Sequence, residues 1–333
     1  MIENSNSNSN ADRNLSGRRK VANNCQPGEN AMQTDNPLPL DASEADNASM
    51  ELKTLSAEVA ARYKREGFLC PLPAIGAAHA AEVRKKIEAV ESQHGGGWPH
   101  EQAFKPHLLY PWLDELICHP TILDAVEDII GPDIMCWQSR FFIKDPNDGG
   151  FVSWHQDITY WGIDITENVL TAWLALTPAT PENGVMKVIP GSHHNKLLPH
   201  REGAGSKLTV RGQEVAVDVD ESKAVFMSLD AGQMSLHHVL LFHASEPNTS
   251  DQRRIGLAIR YLPAHAKALE GLPKDYVRLV RGVDRHHHFN LETPPVRDLD
   301  PAAIEQHRQS WQTYSGINEE AARRHQDTIR TKQ

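Results

Sequence analysis

The sequence predicts a mainly β domain flanked by helices. Three observations carry that expectation. The hydrophobic period is helical up to about residue 131 and close to two after it. About eight short apolar runs follow, and clusters of turn-forming residues separate them. Short strands at that spacing build a sandwich, a barrel or a jelly roll.

Residues 1–50 read as a disordered tail. Ten of them are Asn, and they show no apolar periodicity to bury. Ser56 is placed to cap a helix running to Glu66, with Gly67 as its stop. A short strand is expected over Phe68–Leu72. Val83, Ile87 and Val90 fall on one face of a helix over 77–94, ended by Gly95–Gly97. Ile122, Val126 and Ile129 do the same for a third helix over about 121–130, which Gly131-Pro132 closes. The expected strands are 135–144, 151–157, 169–176, 185–189, 208–218, 224–229, 234–242 and 255–262. The turns between them include 146–150, 181–184, 190–192 and 230–232. The last 70 residues are polar, with a short helix expected over 301–312. This gives one domain over 51–333: a helical flank at 56–131, a β core at about 135–262 and a polar C-terminal extension at 263–333.

Composition excludes several classes. A formal charge of −10 argues against nucleic acid or an anionic membrane as partner. No stretch approaches the roughly 20 apolar residues of a membrane helix. The N-terminal residues have neither the basic nor the apolar part of a secretory signal. The four cysteines, Cys25, Cys70, Cys118 and Cys136, show no paired spacing and read as reduced thiols of a cytoplasmic protein. The 18 histidines outnumber the 8 phenylalanines, which raises the question of a metal site.

Most of these histidines sit in loop or helical sequence without ligand spacing. The run His286–His288 reads as a solvated loop. His155 and Asp157 differ, because residues i and i+2 of an extended chain project to the same side. One imidazole and one carboxylate then offer two neighbouring ligands, and a second histidine would complete a facial triad. His243 follows a strand and supplies a histidine at a turn. Eleven residues later, Arg254 offers a fork suited to a carboxylate. His237 and His238 compete for the third ligand position but lie inside a predicted strand.

Taken together, these motifs resemble the phytanoyl-CoA dioxygenase-like family of Fe(II)/2-oxoglutarate oxygenases. The matching features are WHQD at 154–157, the Trp173 strand, ENG at 182–184, PGSH at 190–193, HxSxPNxSxxRR at 243–254 and RY at 260–261. Tyr63, Gly67 and Phe68 fit the family's opening, and the likeness covers roughly 55–265. The resemblance implies a double-stranded β-helix, the cupin-like jelly roll. It implies His155, Asp157 and His243 as ligands to Fe(II), with 2-oxoglutarate and O2 as cosubstrates. Arg254, helped by Ser245, would hold the distal carboxylate of 2-oxoglutarate. Trp173 would pack on it, and Gln138 would supply a polar contact. Relatives that halogenate carry Ala or Gly in place of Asp157, so the carboxylate here favours hydroxylation.

A small-molecule substrate is expected to meet Ile158, Tyr160 and Trp161, which directly follow the ligands. Lys105, His107 and Tyr110 before the third helix are further candidates, as is Arg140 on the Gln138 face of its strand. Two other classes compete. A non-catalytic cupin-like binding protein would be expected to have lost a triad residue or Arg254. A non-redox metalloenzyme would have no need of that arginine.

Overall fold

The computed structural model describes residues 52–164, 168–202 and 213–330. Residues 1–50, the expected N-terminal tail, therefore lie outside the described residues, as do residues 208–212 of the strand expected at 208–218.

The helices come first and obey their capping signals. Helix α1 (Ala57–Glu66) begins where Ser56 accepts a hydrogen bond from the Val59 amide and stops at Gly67, whose φ is 82°. Strand β1 (Phe68–Pro73) and helix α2 (Gly76–Gln93) follow. Helix α3 (Pro111–Ile117) was not expected, because seven residues are too few to show a period. Helix α4 (Pro120–Ile130) has Pro in its first turn and Gly131 after its last.

The strands are β2 (Ile134–Lys144), β3 (Val152–His155), β4 (Leu170–Ala175), β5 (Met186–Val188), β6 (His200–Glu202), β7 (Gln213–Val215), β8 (Val225–Phe226), β9 (Gln233–His238), β10 (His243–Ser245), β11 (Arg254–Pro263), β12 (Tyr276–Arg281) and β13 (Asn290–Leu291). Seven of them form a large sheet in the order β1-β9-β4-β11-β2-β12-β13, and four form a small one in the order β3-β10-β5-β8. Strands β6 and β7 pair separately. Side chains of both main sheets line one cavity. This is the open two-sheet sandwich of a jelly roll.

Alternation gives the large sheet two different faces. Leu170, Ala172, Leu174, Ile255, Leu257, Ile259 and Tyr261 pack with Val83, Ile87, Leu113, Leu116, Ile122 and Val126 of the helices in the main core. The alternate residues face the cavity. In β2 the register shifts between Arg260, which pairs with Gln138, and Tyr261, which pairs with Cys136, so that Trp137 is the extra residue between the paired positions. The bulge flips the strand: Ile134 and Cys136 face the helices, whereas Gln138 and Arg140 face the cavity.

The C-terminal region departs from expectation. It is not an extension, because β12 joins the large sheet beside β2. The expected short helix is α5 (Pro301–Arg330), 30 residues long. Its buried face mixes polar and apolar residues (Ser310, Tyr314, Ile317, Asn318 and Ala321). Tyr314 stacks on Phe104 with ring centroids 4.8 Å apart. A side chain on Gly162, φ 69°, would meet Ile317 at 2.5 Å, so glycine there admits the helix.

Candidate active site

Strands β3 and β10 run antiparallel with His155 directly opposite His243. Asp157 follows on the short 3-10 turn Asp157–Tyr160. Its Oδ1 lies 3.8 Å from His155 Nε2 and 3.9 Å from His243 Nε2. One ligand atom from each residue falls within 4.8 Å of the other two, and all three residues are buried. Both rings are turned by the backbone. His155 Nδ1 lies 2.9 Å from the Ser153 carbonyl, and His243 Nδ1 lies 2.9 Å from that of Leu241. A nitrogen facing a carbonyl must carry the proton, so each Nε2 presents a lone pair to the centre.

The electrostatics suit a cation. Burial and the neighbouring His155 hold the His243 imidazole well below its usual pKa, and hence neutral. Burial alone would raise the Asp157 carboxyl. Arg260, together with the His155 and His237 side chains, overrides that and holds it well below the carboxylate range. Two imidazoles whose Nε2 atoms face an ionised carboxylate fit a divalent metal such as Fe(II).

The large sheet supplies the opposite wall in register. His237, Thr171, Arg260 and Gln138 lie side by side across β9, β4, β11 and β2. This row reaches Asp157. Thr171 Oγ1 donates to Asp157 Oδ2 at 3.0 Å, Arg260 lies 3.6 Å from Oδ1, and His237 Nε2 lies 3.8 Å from Oδ2. Arg260 also donates to Gln138 at 2.7 Å. The next row is Ser235, Trp173, Ala258 and Arg140. The Trp173 indole covers Gly256, where a Cβ would sit 2.0 Å from the ring, and the Arg254 guanidinium lies 5.4 Å from the same ring. Glycine at 256 is therefore a steric requirement.

Arg254 and Lys144 pair at the far end of β11 and β2. Arg254 donates to the Gly184 carbonyl, and its Nε has no partner. Burial lowers its pKa to about 10, which leaves it cationic at neutral pH. Lys144 donates to Ser245 Oγ at 2.9 Å and to the Glu246 carbonyl.

Of the residues expected from sequence, the cavity brings together His155, Asp157, His243, Arg254, Ser245, Trp173, Gln138, Trp161 and Arg140. Five of the residues expected near substrate, Lys105, His107, Tyr110, Ile158 and Tyr160, do not line it. Lys105 and His107 do not reach the cavity. They are buried in a separate network in which Lys105 Nζ meets Glu292 at 2.7 Å and His107 Nδ1 meets Ser139 Oγ at 2.7 Å. Loop polarity placed them near substrate, but the carboxylate that neutralises Lys105 comes from 187 residues away. Ile158 and Tyr160 are also buried outside the cavity lining: Ile158 packs in the second core, and Tyr160 lies against His325. Tyr110 caps α3 and donates to Gln102. Sequence reasoning missed Thr171, whose two-residue offset from Trp173 was the available signal, and Tyr314 and Asn318, for which no signal exists.

A jelly roll carrying His-x-Asp on one strand end, a histidine on its neighbour and an arginine beyond defines the class of Fe(II)/2-oxoglutarate oxygenases. The family model described as phytanoyl-CoA dioxygenase (PhyH) matches residues 63–256. The chain belongs to that family. It is 30% identical over 168 residues to a probable alpha-ketoglutarate-dependent hypophosphite dioxygenase of Stutzerimonas stutzeri, a match covering 50% of this chain and 58% of that protein. Among solved structures it is similar to the non-heme monooxygenase ThoJ (apo), with a TM-score of 0.71 and 35% identity over 80% of this chain and 99% of that one. CytC3 with Fe(II) and alpha-ketoglutarate gives a TM-score of 0.56 and 25% identity over 74% and 96% of the two chains. Among the described residues, no helix is long and apolar enough to cross a membrane.

Proposed function

We propose that this protein is an Fe(II)/2-oxoglutarate-dependent dioxygenase that hydroxylates a C–H bond of a small molecule, releasing succinate and CO2. One observation carries the reading: the three donor atoms of His155, Asp157 and His243 share a cavity with the buried Arg254. Bound Fe(II) supplies O2 activation coupled to oxidative decarboxylation of the cosubstrate.

The chain's own residues do the rest. His155 and His243 present Nε2, and Asp157 presents Oδ1, each fixed by a backbone carbonyl or by Thr171. Arg254 receives the distal carboxylate of 2-oxoglutarate beside Ser245, and the Trp173 face limits where the cosubstrate lies. Gln138 provides a polar contact on the metal side. Trp161, Tyr314 and Asn318 close the substrate side and keep water from the reacting bond. Asp157 favours hydroxylation over halogenation, since the carboxylate fills a ligand position.

The test is anaerobic addition of Fe(II) and 2-oxoglutarate, which is expected to produce a visible charge-transfer band. Asp157→Ala and His243→Ala are each expected to abolish succinate formation. Unchanged 2-oxoglutarate turnover in both variants would overturn the assignment.

A further inference from the structure

The substrate side of the cavity contains more positive charge than the proposed cofactors use. Arg140 and Arg260 come from adjacent antiparallel strands and face the same way. Arg260 sits opposite Gln138, and Arg140 sits opposite Ala258, one step along the same face. Such diagonal neighbours are separated by about 7–8 Å, within the span of two arginine forks on one bound group. Ala258, between them in the fold, leaves the space above the sheet open. Arg260 is buried, and among the described residues its Nε has no partner and the only carboxylate within ion-pair distance is Asp157. Among the described residues, Arg140 has no carboxylate within ion-pair distance. Among the described residues, the only acidic side chain lining the cavity is Asp157, against Arg140, Arg254 and Arg260.

The charges can be followed with the centre loaded. Fe(II) and the 2-oxoglutarate dianion cancel. Among the described residues lining the cavity, Asp157 offsets one of the three arginines, which leaves two guanidinium charges to be matched, with Arg140 half-buried and Arg254 and Arg260 buried. Unpaired buried charge is costly, so the site is complete only when a further anion enters. We propose that Arg140 and Arg260 form a clamp for an anionic group of the substrate, a carboxylate or a tetrahedral oxyanion, and so fix which C–H bond faces the metal. The inference rests on the Fe(II)/2-oxoglutarate reading and adds the substrate class to it.

The test uses the full chain loaded anaerobically with Fe(II) and 2-oxoglutarate. Sulfate and propionate are titrated as probes, with propionamide as the neutral control, and binding is read by calorimetry. Wild type is expected to bind at least one anion and not propionamide. Arg140→Gln is expected to weaken that binding at least tenfold, and Arg140→Lys to restore part of it. Sulfate preference would identify a tetrahedral oxyanion, and propionate preference a carboxylate. The inference is overturned if wild type binds neither anion, if Arg140→Gln binds them as wild type does, or if the half-saturation by 2-oxoglutarate moves in their place. That last result would assign Arg140 to the cosubstrate. Absence of the charge-transfer band in wild type would sink the underlying reading instead. The same anion titration on the metal-free protein then still decides the clamp.

Discussion

Thr171 Oγ1 donates a 3.0 Å hydrogen bond to Asp157 Oδ2, which joins the two sheets of the sandwich at the metal centre. Asp157 belongs to the turn after β3, and Thr171 lies on β4 of the opposite sheet. The bond leaves Oδ1 turned toward His155 and His243. Thr171→Val keeps the shape and removes only the donor. Such outer partners typically contribute about 10–100-fold to metal affinity. Fe(II) titration followed by the charge-transfer band is expected to show a loss in that range with the fold unchanged.

Arg254 is buried and has no carboxylate partner among the described residues. Arg254→Gln is expected to raise the half-saturating 2-oxoglutarate concentration by about 10–100-fold, since a charge-assisted hydrogen bond is worth about 1.5–3 kcal/mol. Fe(II) binding in the absence of 2-oxoglutarate should be unaffected. A variant with unchanged cosubstrate affinity would remove Arg254 from the site.

The Lys105–Glu292 pair, at 2.7 Å and with both side chains essentially inaccessible, predicts a stability effect without a catalytic one. Lys105→Met leaves the Glu292 charge stranded beside His107. Removing one partner of a buried pair costs about 3–5 kcal/mol. Denaturant unfolding should show that loss, while the charge-transfer band of the protein that remains folded stays in place.

Lys144 predicts a pH dependence of stability. Burial, then the neighbouring Arg254, pushes its pKa down to about 7. In the unfolded chain a lysine titrates near 10.4, so between these values the unfolded state binds one proton more. Stability from this group therefore rises with pH from about 7 to about 10, by at most about 1.4 kcal/mol per pH unit. Lys144→Met is expected to flatten that slope, measured as the urea midpoint at pH 6.5, 8 and 9.5.

The line between sequence and structure can be drawn at particular residues. Strands β2, β4 and β11 and helices α1, α2 and α4 were legible because alternation, heptad-like spacing and capping are local properties. His155, Asp157, His243 and Arg254 were legible because order and spacing along the chain carry them. The length of α5 was not, since its buried stripe contains Ser310 and Asn318, whose burial depends on what they meet. Lys105 and His107 misled for the same reason. A polar residue before a helix reads as exposed until a distant Glu292 neutralises it.

The fold class was readable from the chain alone, and so were His155, Asp157, His243 and Arg254, which the structure brings into one cavity. Only the tertiary structure decided what surrounds them. The bulge in β2 turns Gln138 and Arg140 into the cavity, and the strand registers set His237, Thr171, Arg260 and Gln138 in one row against Asp157. Helix α5 brings Tyr314 and Asn318 to the cavity from more than 70 residues past His243. Local periodicity records which side of an element is buried. Which elements share that burial is fixed by pairing and packing between segments far apart in the chain.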